Sequence, residues 1–119
     1  MKRILVADDE DVLRMLITDT LEDEGYELVE AADGAEALSL IEKQSFDLVI
    51  LDYMMPEYTG IEVAEQLSDE WKQQTPLVML TAKTQEDDIQ KSKDVGIRYF
   101  MAKPFSPIEL IQMVEEILT

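Results

Sequence analysis

The sequence contains no histidine and no cysteine, and only 10 Lys plus Arg stand against 27 Asp plus Glu in its 119 residues. Without cysteine there are no disulfides, thiolate nucleophiles or thiolate metal sites. Without histidine the usual proton shuttle near neutral pH is missing, along with His-based triads and most transition-metal sites. A net charge of −17 argues against direct nucleic-acid binding, which rests on clustered Lys and Arg, and suits cations and basic partner surfaces. There is no long uncharged apolar run, and Met1-Lys2-Arg3-Ile4 passes at once into Ala7-Asp8-Asp9-Glu10 without the apolar stretch of a signal peptide. A cytoplasmic chain without membrane contact is the expectation. The chemistry that remains is that of carboxylates, hydroxyls, lysines and a hard ion.

The length fits a single domain over residues 1–119, and 46% hydrophobic residues are enough for a core. Apolar runs alternate with helical periodicity. Strands are expected at Ile4–Ala7, Leu28–Ala31, Leu48–Leu51, Leu77–Leu80 and Ile97–Ala102. Helical faces are marked by Leu13, Leu16, Ile17 and Leu21; by Ala37, Leu38 and Ile41; by Ile61, Ala64 and Leu67; and by Ile108, Ile111, Val114 and Leu118. Thr59-Gly60-Ile61-Glu62 and Ser106-Pro107-Ile108-Glu109 match the capping box, and Gly25 and Gly96 sit where helices should stop. The first, third and fourth strands are almost purely apolar, as when helices cover both faces, whereas the second holds Glu30 and the fifth Arg98. The polar strands therefore belong at the edges. With right-handed crossovers this predicts a doubly wound, five-stranded parallel α/β sheet of order 2-1-3-4-5, flavodoxin-like, which binds ligands beyond the carboxyl ends of its strands.

Asp8-Asp9 follow the first strand, Asp52 the third, Thr81 the fourth and Lys103 the fifth. Three clustered carboxylates repel unless something positive sits among them, and a hard divalent cation such as Mg²⁺ fits. Asp52 could then attack phosphorus to give an aspartyl phosphate, with Thr81 and Lys103 binding the phosphoryl oxygens. No general base is needed, which suits a chain without histidine.

Val6-Ala7-Asp8-Asp9-Glu10, Leu51-Asp52-Tyr53-Met54-Met55-Pro56, Thr81-Ala82 and Lys103-Pro104-Phe105 together resemble the CheY-like receiver domain of two-component response regulators, over essentially the whole chain. The resemblance implies that Asp52 accepts a phosphoryl group from a sensor histidine kinase or a histidine phosphotransfer protein. It implies that Asp8, Asp9, Asp52 and the Met54 carbonyl surround Mg²⁺, or Mn²⁺ in its place. It further implies a cis Lys103-Pro104 bond and a switch: Thr81 moves toward the phosphate, Phe100 turns inward, and the fourth helix, fifth strand and fifth helix present a changed surface to a downstream protein target. The segment from Gln85 to Val95, with only Ile89 and Val95 as large apolar residues, is thinly anchored enough to move. Met54 and Lys83 stand where receivers tune water's access to the acyl phosphate, so slow autodephosphorylation is expected of a monomer or weak dimer.

Each residue also has a plainer reading. Asp8 or Asp9 could cap a helix, Asp52 could serve a turn, Thr81 a cap, Lys103 the solvated surface and Phe100 the core. Their joint placement favours function. A Mg²⁺-dependent phosphohydrolase using an aspartyl phosphate would carry a second Asp where this chain has Met54, and a cap insertion to enclose its substrate. A degenerate receiver serving only as a docking module would have no need of the clustered carboxylates.

Overall fold

The structure is a computed structural model that describes residues 1–82 and 86–119, without the side chains of residues 86–88. The elements run β1 (Arg3–Ala7), α1 (Asp11–Asp23), β2 (Glu27–Ala31), α2 (Gly34–Lys43), β3 (Leu48–Asp52), α3 (Gly60–Glu65), α4 (Asp69–Gln74), β4 (Leu77–Thr81), α5 (Glu86–Asp94), β5 (Tyr99–Ala102) and α6 (Pro107–Leu118). The five strands are parallel in the order β2-β1-β3-β4-β5, as the burial pattern of the sequence predicts. Every residue of β3 and β4 is buried, because their alternate side chains enter two different cores. One core packs Leu5, Val49, Leu51 and Met79 against Ala37 and Ile41 of α2 and Val63 and Ala64 of α3. The other packs Ile4, Val6, Ile50 and Leu80 against Ile17 and Leu21 of α1 and Leu110 and Val114 of α6. No helix among the described residues is long and apolar enough to cross a membrane.

Both capping boxes form, at Thr59 with Glu62 and at Ser106 with Glu109, and Gly25 and Gly96 take positive φ values of 96° and 95° after α1 and α5. Three expectations need correction. The segment between β3 and β4 holds two short helices, because the Ser68 hydroxyl accepts from the Trp71 amide and starts α4 anew. The helices expected as fourth and fifth are therefore α5 and α6. α4 is tied down by Lys72, whose Nζ donates to the carbonyls of Ala64 at 3.1 Å and Val95 at 2.6 Å. Second, β5 begins at Tyr99, so Arg98 precedes it; the strand lies at the edge of the sheet beside β4, with Tyr99 and Phe100 half-buried and Ala102 exposed. Third, Leu16 and Ile108 lie outside the core, 45% and 67% exposed, and α6 turns Leu110 and Val114 inward. Apolar periodicity alone cannot tell a core stripe from an apolar surface beside it.

Gly60 opens α3 directly under the end of β3. A Cβ there would lie 2.7 Å from the Asp52 carbonyl oxygen and 2.7 Å from Met79 Sδ. The Met thioether can move, but the strand backbone cannot. Gly60→Ala is expected to cost on the order of 1–3 kcal/mol of stability through this overpacking, read as a lower urea midpoint; an unchanged midpoint would mean that β3 yields at its carboxyl end.

Candidate functional site

Parallel pairing places the strand ends side by side. Ala7 is in register with Leu51, Asp52 with Leu80 and Thr81 with Ala102, so Asp8, Asp52, Thr81 and Lys103 emerge at one edge of the sheet. The connections are pinned there by main-chain bonds: the Asp8 amide donates to the Ala31 carbonyl at 3.1 Å, the Tyr53 amide to Leu80 at 2.9 Å and the Lys103 amide to Thr81 at 2.6 Å. The Lys103-Pro104 bond is cis. After Asp52 the chain turns through Glu57, which holds a left-handed conformation at φ 70°, a backbone cost of the kind found near functional sites.

Lys103 is the centre of the charge cluster. Its Nζ lies 2.9 Å from Asp52 Oδ1, 3.4 Å from Asp8 Oδ2 and 3.5 Å from Glu10 Oε1. Asp8 and Asp52 are buried, and Asp8 Oδ1 accepts from the Glu10 amide at 2.8 Å. Asp8 Oδ2 is buried without a hydrogen-bond partner. Burial pushes the Asp52 carboxyl up to about 6, and the charges of Asp8 and Asp9 add to this against the pull of Lys103. Burial likewise raises Asp8, against the Glu10 amide and Lys103. Burial works against the charge of Lys103, but its bond to Asp52 and the surrounding carboxylates raise it overall and keep it an ammonium.

One ammonium does not balance these carboxylates. Ligand oxygens of Asp8, Glu10 and Asp52 lie within 4.8 Å of one another, a spacing that could hold a metal ion. Oxygen donors alone, with a buried carboxylate oxygen left unbonded, suit a hard divalent cation. Asp9, expected among the ligands, is exposed at the rim and outside this group, where it acts on Asp52 by charge. Glu10, which the sequence analysis does not single out, stands in this group. Met54 is 64% exposed on the loop after β3. Thr81 is buried, and strand alternation puts it on the same side of β4 as Met79, whose register partner is the half-buried Phe100. Lys83 lies outside the described residues.

The pattern of the response regulator receiver domain matches residues 4–115. The chain belongs to the response regulator receiver family. It is similar to the transcriptional regulatory protein PdtaR of Mycobacterium tuberculosis, at 42% identity over 96% of this chain and 55% of that protein. It is also similar to the alkaline phosphatase synthesis transcriptional regulatory protein PhoP of Bacillus subtilis, at 44% identity over 98% of this chain and 48% of that protein. It thus spans about half the length of the curated relatives it matches. The solved chemotaxis response regulator CheY4 of Vibrio cholerae superposes with a TM-score of 0.93 at 37% identity, each chain covered to 99%. This receiver is therefore a domain of two-component signalling, with the doubly wound fold of its relatives.

The raised Asp52 value has a consequence for stability. The folded receiver holds the Asp52 proton more tightly than the unfolded chain between the ordinary 3.8 and about 6. Metal-free stability therefore falls as pH rises through that window, and the loss is complete above it. Asp52→Asn is expected to stabilise the metal-free receiver at neutral pH by up to about 3 kcal/mol, less whatever Lys103 loses as a partner, and to give little gain below the window. Urea unfolding at both pH values checks this; equal gains at both would contradict it.

Proposed function

We propose that this receiver is a phosphoacceptor switch in which Asp52 takes a phosphoryl group from the phosphohistidine of a sensor histidine kinase or histidine phosphotransfer protein. The observation that carries the reading is the 2.9 Å contact between Lys103 Nζ and a buried Asp52 set among further carboxylates. With its carboxyl value at about 6, Asp52 is largely ionised at neutral pH and needs no base to act as nucleophile. A carboxylate oxygen attacks phosphorus; the O–P bond forms as the P–N bond breaks, and the electron pair leaves on the donor imidazole nitrogen, which takes up a proton. Lys103 follows the charge from the Asp52 carboxylate to the phosphoryl oxygens as a point cation, and the Thr81 hydroxyl donates to another of them. Asp8, Asp9, Asp52 and the Met54 carbonyl, with Glu10 close by, would hold Mg²⁺ or Mn²⁺. Such an ion supplies neutralisation of the phosphoryl charge.

The donor must be a separate protein or domain, since this sequence has no histidine. Val12 and Leu16 of α1 are exposed and line a groove with Phe105 and Lys103, and Ile108 is exposed at the start of α6. An apolar surface bordering Lys103 suits a docked phosphodonor protein, and accounts for the apolar residues that the core leaves out. Readout to a downstream protein runs from Thr81 to Phe100 and thence to α5, β5 and α6.

Incubation with acetyl phosphate and Mg²⁺ should add one phosphoryl group, seen by intact mass, to the wild-type chain and not to Asp52→Asn. No gain in wild type, or an equal gain in the variant, would sink the proposal. Met54→Asn, which exchanges an exposed thioether beside the acceptor for an amide able to orient water, is expected to shorten the acyl phosphate half-life severalfold. An unchanged half-life would remove Met54 from the control of hydrolysis.

A further inference from the structure

Arg14 is the only basic residue of α1, and its side chain is just 14% exposed among acidic neighbours. Its three guanidinium nitrogens have three different partners. Nη2 donates to Asp11 Oδ1 at 2.8 Å and Nε to Glu30 Oε1 at 3.0 Å, both on largely solvated carboxylates. Nη1 instead reaches the main chain of the site and donates to the Asp8 carbonyl oxygen at 2.6 Å.

That contact completes the restraint of Asp8. Its amide is bound by the Ala31 carbonyl, its carbonyl by Arg14 and its Oδ1 by the Glu10 amide. Only Oδ2 is left without a hydrogen bond, 3.4 Å from Lys103 Nζ within the carboxylate group. Glu10, the N-cap of α1, makes no side-chain capping bond and meets Lys103 instead, so it is the Arg14 guanidinium that holds the Asp8 carbonyl. We infer that Arg14 is a positioning residue for the Asp8 carboxylate, fixing the peptide between Asp8 and Asp9 so that Oδ2 stays aimed into the cation site. The inference rests on the reading of Asp8 as a metal-holding carboxylate.

Positioning and simple electrostatics predict opposite signs. By Coulomb's law alone, removing a positive charge near the site would tighten the binding of a divalent cation. If Arg14 instead orients Asp8, removing it weakens binding despite the more negative surroundings. The test is a Mn²⁺ titration of the full chain, with free Mn²⁺ followed by electron paramagnetic resonance. Wild type is compared with Arg14→Met, Arg14→Lys, Glu30→Gln and Asp8→Asn. Arg14→Met keeps an unbranched stem without the donors and is expected to bind about tenfold more weakly, the scale of losing an outer-shell partner. Arg14→Lys, with one donor within reach, should recover part of the loss. Glu30→Gln leaves the bond to Asp8 in place and should stay close to wild type.

Equal or tighter binding by Arg14→Met overturns the inference, even where its thermal stability has dropped. If Arg14→Met fails to fold, the decision passes to the other pair: weaker binding by Arg14→Lys alone supports positioning, and equal loss in Arg14→Lys and Glu30→Gln overturns it. A wild type that binds no better than Asp8→Asn brings down the metal reading and the inference together. Tight wild-type binding that Asp8→Asn abolishes and Arg14→Met preserves brings down only the role of Arg14.

Discussion

Carboxylates are held at the carboxyl-terminal edge of this sheet at a density that one lysine cannot neutralise. Asp8 and Asp52 are buried, and Lys103 meets both together with Glu10. Taking such groups out of water is unfavourable, and their mutual repulsion adds to the cost. Opposing this are the two cores on either side of β1, β3 and β4, whose strands are buried almost throughout. Because each strand end is locked in register, the carboxylates cannot separate to relieve their repulsion. The result is a rigid, over-negative pocket with one ammonium at its centre, a set of oxygen donors that could hold a hard cation.

The rest of the molecule can be placed by its relation to that edge. α1 approaches from one side of the sheet and meets the site through the turn at Asp8 to Glu10, where Arg14 adds a contact with the main chain. From the other side, α3 is brought so close by Gly60 that the backbone of Asp52 has little room to shift. β5 is one of the two edge strands, and Phe100, the register partner of Met79, is only half-buried upon it.

Several features were legible in the sequence because they rest on local chemistry. The two capping boxes, the glycine helix stops and the apolar character of the three inner strands depend on a few adjacent residues each, and all of them formed. The second start at Ser68 was also written locally, in a hydroxyl three residues before Trp71, but was hidden inside an apparently continuous helical stretch. Leu16 and Ile108 were misread for a different reason. Their spacing fits the same helix faces as Ile17, Leu21 and Val114, which do fill the core, and only packing decided that Leu16 and Ile108 stay outside it and that Leu110 enters.

By itself, then, the sequence determined the strand order, the edge at which Asp8, Asp52, Thr81 and Lys103 would meet, and the kind of chemistry open to a chain without histidine or cysteine. Those follow from periodicity, burial and residue type, which are properties of neighbours along the chain. The tertiary structure alone decided that Glu10 and not Asp9 turns toward Lys103, that Asp8 keeps one oxygen unbonded, and that Arg14 reaches the Asp8 carbonyl. These depend on how a helix is set against a strand end to within an ångström or two. No pattern along the chain encodes that distance, because it results from packing two cores at once.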